Sequence, residues 1–254
     1  MEKTFKTLEC QVNYLKDNKS VVICDEQLAK KTLLKTNYYN FTACCKVKFA
    51  KERENGKFLY ESSSFNDWHM YYDLDCKLSE HLMINFNRLE REINAKTAWY
   101  LSQLINSGVL SHNEKNELRQ KIQSAKNCAS YNLNETWRYI PKMTFGELVY
   151  LLIWLFENKK EVFSKIIADH EVLKKESIKR LHELKHLRNT LFHGRPLNIY
   201  LVYGNVNKLS LYQKRRQLLI RWVFQLRRDK ILSLYLNEMI QFAKQFLNIK
   251  KQPT

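Results

Sequence analysis

The chain has 254 residues, of which 44% are hydrophobic and 27% are charged, and its formal net charge is +17. This length and composition are those of a globular protein with a sizeable hydrophobic core. Because glycine (5 residues) and proline (3 residues) are scarce, long helices are favoured over a β-rich fold with many turns. The excess of positive charge predicts a polyanionic partner, and nucleic acid and an anionic membrane surface both fit that description.

The first 64 residues predict helical structure and a short hairpin. Asp25 precedes EQLAKKTLLKT and has the side chain of a helix N-cap. Residues 37–49, NYYNFTACCKVKF, are rich in aromatic residues and fit either a helix or a strand. The Asn55-Gly56 pair within residues 51–64 is a turn signal and predicts a hairpin there.

A long helix is predicted over about residues 65–105. Ser64 is its expected N-cap and Gly108 its expected stop. Residues 112–142 are polar and less regular, and Pro141 closes them. Apolar residues recur along the long helix at steps of three and four, which indicates one buried face. They are Leu74, Leu78, Leu82, Phe86, Leu89 and Ile93.

The C-terminal half continues as helices, although residues 197–211 fit a hairpin or an irregular excursion. The sequence has no internal repeat and no long linker, so it predicts one all-α domain over residues 1–254. A helical part of about 1–64 is expected to pack on it, and basic helices of about 212–248 to close it. The further helices are expected over residues 144–156, 161–170, 171–193, 212–227 and 229–248.

The N-terminus, the apolar runs and the cysteines predict a cytoplasmic protein. The segment MEKTFKTLECQVNYLKD alternates charged and apolar residues and so lacks the apolar stretch of a signal peptide. The longest apolar run, LVYLLIWLF, is shorter than the roughly 20 residues that span a bilayer. With no C-x-x-C pair, we expect reduced thiols and no structural metal. The cysteines are Cys10, Cys24, Cys44, Cys45, Cys76 and Cys128.

The motif HLRNTLFHGRP at residues 186–196 lies at the end of a predicted helix. At about 100° per residue, Asn189 and His193 point away from the apolar face, and Arg188 lies between. An arginine can hold a phosphate through two hydrogen bonds, a histidine can take or give a proton, and an asparagine can orient either one. The apolar face consists of Leu184, Leu187 and Leu191.

The residues that follow this motif predict where the helix ends. Gly194 is placed just past the helix end, and Pro196 prevents continuation. His193 then lies at the C-terminal tip, where the helix dipole favours the imidazolium. A basic last turn is also a common way to end a helix, and an R-N-x-x-x-H string recurs by chance in many proteins. The spacing alone leaves phosphodiester chemistry and an ordinary helix end both open.

Four segments, taken in order, resemble motifs of the Abi-like proteins of bacterial abortive infection (AbiD/AbiF type). They are NYYNF at 37–41, SFNDWHMYYDLDCKL at 64–78, INFNRLEREINAKTAWYLS at 84–102, and the L-R-N of 187–189 with His193. The resemblance covers roughly residues 30–200. The last segment is also similar to the R-x(4–6)-H signature of the HEPN ribonuclease superfamily. Family members often carry paired histidines and a tryptophan-asparagine element, whereas this chain reads FHGRPLN.

This resemblance implies a HEPN-like helical bundle that acts as a metal-independent endoribonuclease without a cofactor. Arg188 would stabilise the phosphorane, Asn189 would position the pair, and His193 would transfer a proton. The products would carry a 2′,3′-cyclic phosphate and a 5′-hydroxyl. Because two such helices usually share one cleft, a homodimer is implied. A cognate noncoding RNA would restrain the toxin; the alternative is a catalytically weak RNA-binding protein within a ribonucleoprotein.

Basic residues near the motif and near the C-terminus fit an RNA partner independently. Lys185 and Arg195 flank the motif and can guide the RNA backbone. Interleaved aromatic residues can stack on unpaired bases, although Trp222 and Phe224 also fit a buried core. The other predicted RNA-binding residues are Lys208, Lys214, Arg215, Arg216, Arg221, Arg227 and Arg228.

Other clusters have ordinary structural explanations. Glu90 fits helix-face ion pairs, a carboxylate site, or a partner that orients Arg188. His69 and Asp73 are spaced as metal ligands on a helix can be, but the sequence offers no third ligand. No glycine-rich phosphate-binding motif occurs, so nucleotide-driven chemistry has no support. A helical partner-binding or membrane-surface protein, in which charge serves only to steer association, stays open as a third hypothesis.

Overall fold

The computed structural model of the chain describes residues 6–54, 57–60, 63–126, 132–170, 173, 176–202, 209–223 and 230–250. Most of these residues are helical, which confirms the all-α class. The chain divides into two compact units. Unit 1 is Met1–Met83 with Asn189–Thr254, and unit 2 is Ile84–Arg188. The single-domain organisation stays a prediction.

Unit 1 begins with helices whose first turns are capped by side chains. The Asp25 carboxylate accepts the amide of Leu28 at 2.9 Å, as predicted. The Asn37 side chain accepts the amides of Tyr39 and Asn40, and the aromatic segment that follows is therefore a helix and not a strand. The elements are α1 (Leu8–Lys19), β1 (Val21–Val22), α2 (Glu26–Lys35) and α3 (Tyr38–Phe49).

Two small sheets complete the N-terminal part of unit 1. Strands β2 (Ala50–Glu54) and β3 (Lys57–Tyr60) pair in antiparallel fashion, which confirms the hairpin. Its Asn55-Gly56 turn lies outside the described residues. Strand β4 (Ser63–Ser64) pairs with β1 in parallel. One core cluster of this unit contains Val12, Leu15, Val21, Ala29, Leu33, Phe41, Cys45, Phe65 and Trp68.

The predicted long helix is α4 (Phe65–Asn106). Ser64 caps it, since the amide of Asp67 donates to Ser64 Oγ at 3.1 Å. Gly108 follows its end with a positive φ of 72°, a conformation that glycine adopts without a steric cost. Of the predicted apolar face, Leu74 is half-buried. The buried members are Leu78, Leu82, Phe86, Leu89 and Ile93.

Unit 2 continues from α4 with further helices. Residues 112–126 are helical and not irregular, which corrects the prediction for the first part of 112–142. The reason is a capping box: the amide of Ser111 donates to Glu114, and the amide of Glu114 donates to Ser111 Oγ. The helices are α5 (His112–Lys126), α6 (Thr136–Tyr139), α7 (Phe145–Asn158), α8 (Lys160–Ile167) and α9 (Ser177–Phe192), whose last residues, from Asn189 onward, belong to unit 1.

Three C-terminal helices complete unit 1. They are α10 (Leu197–Val202), α11 (Leu209–Val223) and α12 (Lys230–Lys250). The start of the 197–211 stretch is thus a helix, which corrects the expectation of a hairpin or an irregular excursion; residues 203–208 lie outside the described residues. Helix α10 packs against α3, α11 and α12, and α12 also packs against α3. None of the described helices combines the length and the apolar character that crossing a membrane requires.

Candidate functional site

Helix α9 ends in a turn with defined hydrogen bonds. The amide of Gly194 donates to the carbonyl of Leu191 at 3.3 Å, and the amide of Arg195 donates to the carbonyl of Thr190 at 3.0 Å. Gly194 has a φ of 58°. Together these features form a Schellman C-cap, so the predicted helix end at Gly194 is confirmed. The predicted apolar face of α9 is buried: Leu184, Leu187 and Leu191.

Two polar residues of the motif belong to unit 1 and lie near the helix tip. His193 is exposed, and Asn189 is half-buried. The amide of His193 donates to the carbonyl of Asn189 at 3.1 Å, which continues the helical bonding pattern up to the histidine. The imidazole is therefore presented to solvent at the end of α9, while the buried Leu191 anchors the same turn.

Arg188 is the last residue of unit 2 and faces an acidic residue of α4. Its Nε lies 4.0 Å from Oε2 of Glu90, and the two side chains are 25% and 17% exposed. Burial raises the pKa of Glu90, and the neighbouring guanidinium opposes that rise. Glu90 therefore forms a long ion pair with Arg188, at a distance too great for a hydrogen bond, and its role in orienting Arg188 stays a prediction.

The segment after His193 is held from both sides by side chains of unit 1. The Asn40 side-chain amide donates to the carbonyl of Gly194 at 3.0 Å. The Asp75 carboxylate accepts the amides of Leu197 at 2.7 Å and Asn198 at 3.1 Å. These amides open helix α10, so Asp75 satisfies donors that a helix start leaves without partners in the helix. The turn that carries His193, residues 190–195 and hereafter the histidine turn, is therefore tied to α3 and α4 through Gly194 and the segment after it.

Asp75 is enclosed by protein, with 1% of its surface exposed. The hydroxyl of Tyr235 in α12 also donates to it, at 3.1 Å. Burial raises the pKa of Asp75 to about 6, although all three hydrogen bonds act to lower it. Desolvation of the carboxylate thus outweighs its donors and keeps the pKa of Asp75 above that of an ordinary aspartate.

A second buried contact ties α10 to α3 and α4. The Asn198 side-chain amide donates to the carbonyl of Cys44 at 2.8 Å and lies 3.3 Å from the hydroxyl of Tyr71. Burial raises the pKa of both the Cys44 thiol and the Tyr71 phenol, so both are neutral. Asn198 therefore joins three segments of unit 1 through neutral hydrogen-bonding groups.

The sequence reasoning missed the roles of Asn40, Asp75 and Asn198. Asn40 and Asp75 lie inside segments that carry the family resemblance, NYYNF and SFNDWHMYYDLDCKL, whereas Asn198 lies in FHGRPLN, where the chain departs from the family pattern. For Asn40 and Asp75, the available signal was therefore their place in these motifs. Their contacts join positions more than 120 residues apart, which no local pattern in the sequence can indicate.

The predicted RNA-binding residues differ in accessibility. Arg195 and Arg216 are exposed. Arg215 is only 5% exposed and donates from Nη1 to the carbonyl of Tyr200 at 2.7 Å, which links α11 to α10 inside unit 1. Lys214 and Arg221 are described only as backbone positions of α11. Three others lie outside the described residues: Lys208, Arg227 and Arg228.

The aromatic residues near these basic positions also differ. In unit 2, Lys185 Nζ lies 4.5 Å from the ring centroid of Tyr150 and donates to its hydroxyl at 3.1 Å. The Tyr150 side chain is 56% exposed, so this pair lies at the surface. In unit 1, Tyr212 is buried and donates to the carbonyl of Ile240 at 2.6 Å, which keeps its ring from stacking on a base. Phe224 lies outside the described residues.

The structure also describes His69 and Asp73, whose spacing in the sequence fits a pair of metal ligands. His69 is exposed, and Asp73 forms a salt bridge with Lys77 at 2.7 Å. Within the described part of the chain, no group of three His, Cys, Asp or Glu side chains is placed to hold a metal ion.

The comparisons with known proteins give one match. Neither the search of curated proteins nor the search of solved structures returned a match. A family model described as "Abi-like protein" matches residues 31–198. This region contains helix α3, helix α4 and the histidine turn with its tethers at Asn40, Asp75 and Asn198. Because the match spans more than half of the chain, the protein belongs to the Abi-like family of abortive-infection proteins.

Proposed function

We propose that this protein is an abortive-infection endoribonuclease that cuts RNA without a metal ion. Arg188, Asn189 and His193 are its proposed catalytic residues. The observation that carries this proposal is the exposed His193, which is followed by a segment that Asn40 holds at Gly194 and Asp75 holds at Leu197. Proton transfer requires a group that is both accessible to the substrate and fixed in position. The family match supports the same function.

The proposed reaction is a transesterification within the RNA. The 2′-oxygen attacks the adjacent phosphorus and loses its proton, the bond from phosphorus to the 5′-oxygen breaks, and the 5′-oxygen gains a proton. His193 transfers one of these protons. Arg188 balances the negative charge that builds on the phosphorane, and Asn189 positions the pair. The products carry a 2′,3′-cyclic phosphate and a 5′-hydroxyl.

The proposed active unit is a homodimer bound to RNA. The reaction needs both a base and an acid, and the R-N-x-x-x-H stretch from Arg188 to His193 offers a single histidine in each chain. A second copy of the motif supplies the other proton-transfer group in a composite site. The net charge of +17 favours a long polyanion as partner. RNA fits this description both as the substrate and as a cognate noncoding RNA that restrains the enzyme.

Cleavage of total RNA in the presence of a metal chelator tests the proposal. The wild type is expected to cut, and His193→Ala is expected to lose activity by about a hundredfold or more, the usual contribution of a general acid or base. His81→Ala, which changes another exposed histidine of unit 1, is the matched control and should retain activity. The new 5′ ends should accept phosphate from a polynucleotide kinase without prior phosphatase treatment.

Other outcomes separate the competing hypotheses. Wild-type protein that binds RNA tightly but never cuts it would indicate the RNA-binding alternative. RNA association that does not depend on salt would contradict both, because phosphate contacts release counterions. Sedimentation at the 30.6 kDa of one chain, with full activity, would contradict the composite site.

A further inference from the structure

A small cleft opens in unit 1 beside the histidine turn. The cleft lies between residues 72–83 of α4 and residues 191–196, and its volume is about 170 Å³. A cavity of about 150 Å³ can hold a benzene ring, so this cleft has room for one six-membered ring. Met83, Leu191 and Pro196 contribute apolar wall.

The rim of the cleft carries polar groups of three kinds. Ser79 and Glu80 are adjacent on α4, and Arg195 comes from the histidine turn. Glu80 and Arg195 are exposed, and Ser79 is half-exposed. The Asp75 carboxylate also borders the cleft, but it is engaged by the first amides of α10. A ligand therefore meets a hydroxyl, a carboxylate and a guanidinium.

The walls of this cleft are held in place before any ligand arrives. Gly194 lines the cleft and accepts a hydrogen bond from Asn40. The residue after Pro196 is Leu197, whose amide donates to Asp75. Sites whose groups are fixed in advance lose less conformational entropy when a ligand binds.

We propose that this cleft binds one unpaired pyrimidine base of RNA beside the phosphodiester at His193 and so selects the site of cleavage. This inference rests on the proposed function, since it takes RNA as the ligand. A flat ring fills the apolar slot, and the Glu80 carboxylate accepts an N–H from its edge, either from N4 of cytosine or from N3 of uracil. Arg195 binds a neighbouring phosphate.

The size and the rim together favour this occupant over others. The cleft is only slightly larger than a cavity that binds benzene, which favours a single ring over the two fused rings of a purine. An acyl chain would offer no hydrogen-bond donor to the Glu80 carboxylate. A pyrimidine satisfies both the apolar wall and the carboxylate.

Binding of short fluorescent oligo(C), oligo(U) and oligo(A) tests the inference. The His193→Ala variant serves as the parent, so that RNA is bound and not cut. It should bind the pyrimidine oligonucleotides about tenfold more tightly than oligo(A), the order expected when one base is accommodated in a site. Adding Ser79→Leu fills the cleft and should bring this ratio close to one. Adding Glu80→Gln removes the charged acceptor and should lower the ratio severalfold.

The ratio of affinities is the decisive quantity, because changes in overall charge alter the binding of all oligonucleotides together. His81→Leu adds the same leucine at an exposed position of α4 and should leave the ratio unchanged. Equal affinities in the parent, or a ratio that neither cleft variant changes, would overturn the inference. If Ser79→Leu fails to fold, the Glu80→Gln variant decides.

Cleavage by the wild type separates this inference from the proposed function. A protein that prefers pyrimidines but never cuts RNA would refute the nuclease and support the cleft. A protein that cuts with no base preference at one fixed position from the scissile bond would support the nuclease and refute the cleft.

Discussion

The Asp75 carboxylate accepts hydrogen bonds from the amides of Leu197 and Asn198 and from the hydroxyl of Tyr235. Its pKa is about 6, above the ordinary value of 3.8, because burial outweighs these donors. Between pH 3.8 and about 6, Asp75 is protonated in the native protein but ionised in the unfolded chain. The free energy of unfolding therefore falls as the pH rises through this range.

Replacement of Asp75 by asparagine removes this dependence. We expect the wild type to lose stability relative to Asp75→Asn between pH 3.8 and about 6, by up to about 3 kcal/mol at about 1.4 kcal/mol per pKa unit. Urea unfolding of both proteins across this range measures the difference. Lys159 lowers the pKa of Glu114 to about 2, so protonation of Glu114 at low pH also reduces the free energy of unfolding. Because this effect is the same in both proteins, it cancels in the comparison. A difference that stays constant with pH would contradict this account of Asp75.

The pair of Glu90 and Arg188 gives a second prediction for single residues. Glu90→Gln keeps the size of the side chain but removes the charge that faces the guanidinium at 4.0 Å. We expect RNA cleavage to fall by about tenfold to a hundredfold, because small displacements of a catalytic group reduce rates by such factors. The free energy of unfolding should change by about 1 kcal/mol or less.

Glu92→Gln is the matched control for this prediction. It removes the same charge two residues further along α4, from an exposed side chain, and it should leave cleavage unchanged. Wild-type kinetics in Glu90→Gln would show that Glu90 has no part in placing Arg188.

At the scale of elements, the backbone conformation of the α9 C-cap sets the position of His193 in the candidate site. Gly194 and Gly108 both have positive φ values, and in each case a Cβ atom would have no described atom within 4 Å. Alanine at either position is therefore strained only by its backbone. Each variant should lose about 1 kcal/mol of stability. Only Gly194→Ala should also lower the cleavage rate, because Gly194 fixes the turn next to His193.

Thermal unfolding and cleavage assays of the two glycine variants check this prediction together. Equal losses of activity in both would mean that general destabilisation, and not the geometry of the histidine turn, is responsible.

Local capping signals account for much of the predicted helical structure. Asp25, Ser64 and Thr144 each precede a helix and cap it through a side-chain oxygen. The same logic was available for α5, since Ser111 and Glu114 form a capping box. Helix α10 could not be predicted in this way. Its sequence, LNIYLV, has the aliphatic and aromatic residues of a strand, and Asp75, which satisfies its first amides, is 122 residues away.

The candidate site likewise has some features that local sequence predicts and others that it does not. The positions of His193 and Gly194 at the end of a helix follow from leucine spacing and from the glycine. The tethers from Asn40 and Asp75 and the neighbour of Arg188 depend on packing between distant segments. Sequence reasoning also treated all basic residues of the C-terminal stretch alike, whereas Arg215 is buried and Arg216 exposed.

At the scale of the whole molecule, the net charge of +17 predicts that the proposed RNA binding depends steeply on salt. Arg215 and Arg216 offer a matched pair of variants with the same change in charge. Arg216→Ala should lower the slope of log K against log salt by about 0.7, the value for one contact to single-stranded nucleic acid. It should have little effect on stability because the side chain is exposed.

Arg215→Ala should behave in the opposite way. It removes the hydrogen bond from Nη1 to the Tyr200 carbonyl and should destabilise the protein by about 1–3 kcal/mol, the cost of a buried polar group without a partner. Salt titrations of RNA binding and thermal unfolding of both variants distinguish the two roles. Equal changes in slope would place Arg215 at the RNA interface as well.

The contact between Tyr235 and Asp75 has a practical consequence for expressing this protein. The region shared with the Abi-like family ends at residue 198, whereas α12, which supplies Tyr235 and packs against α3 and α10, begins at Lys230. A recombinant fragment trimmed to the shared region would uncover the apolar side of α3 and leave the carboxylate without its phenol. Poor recovery of such a fragment would then reflect missing packing and not toxicity to the host.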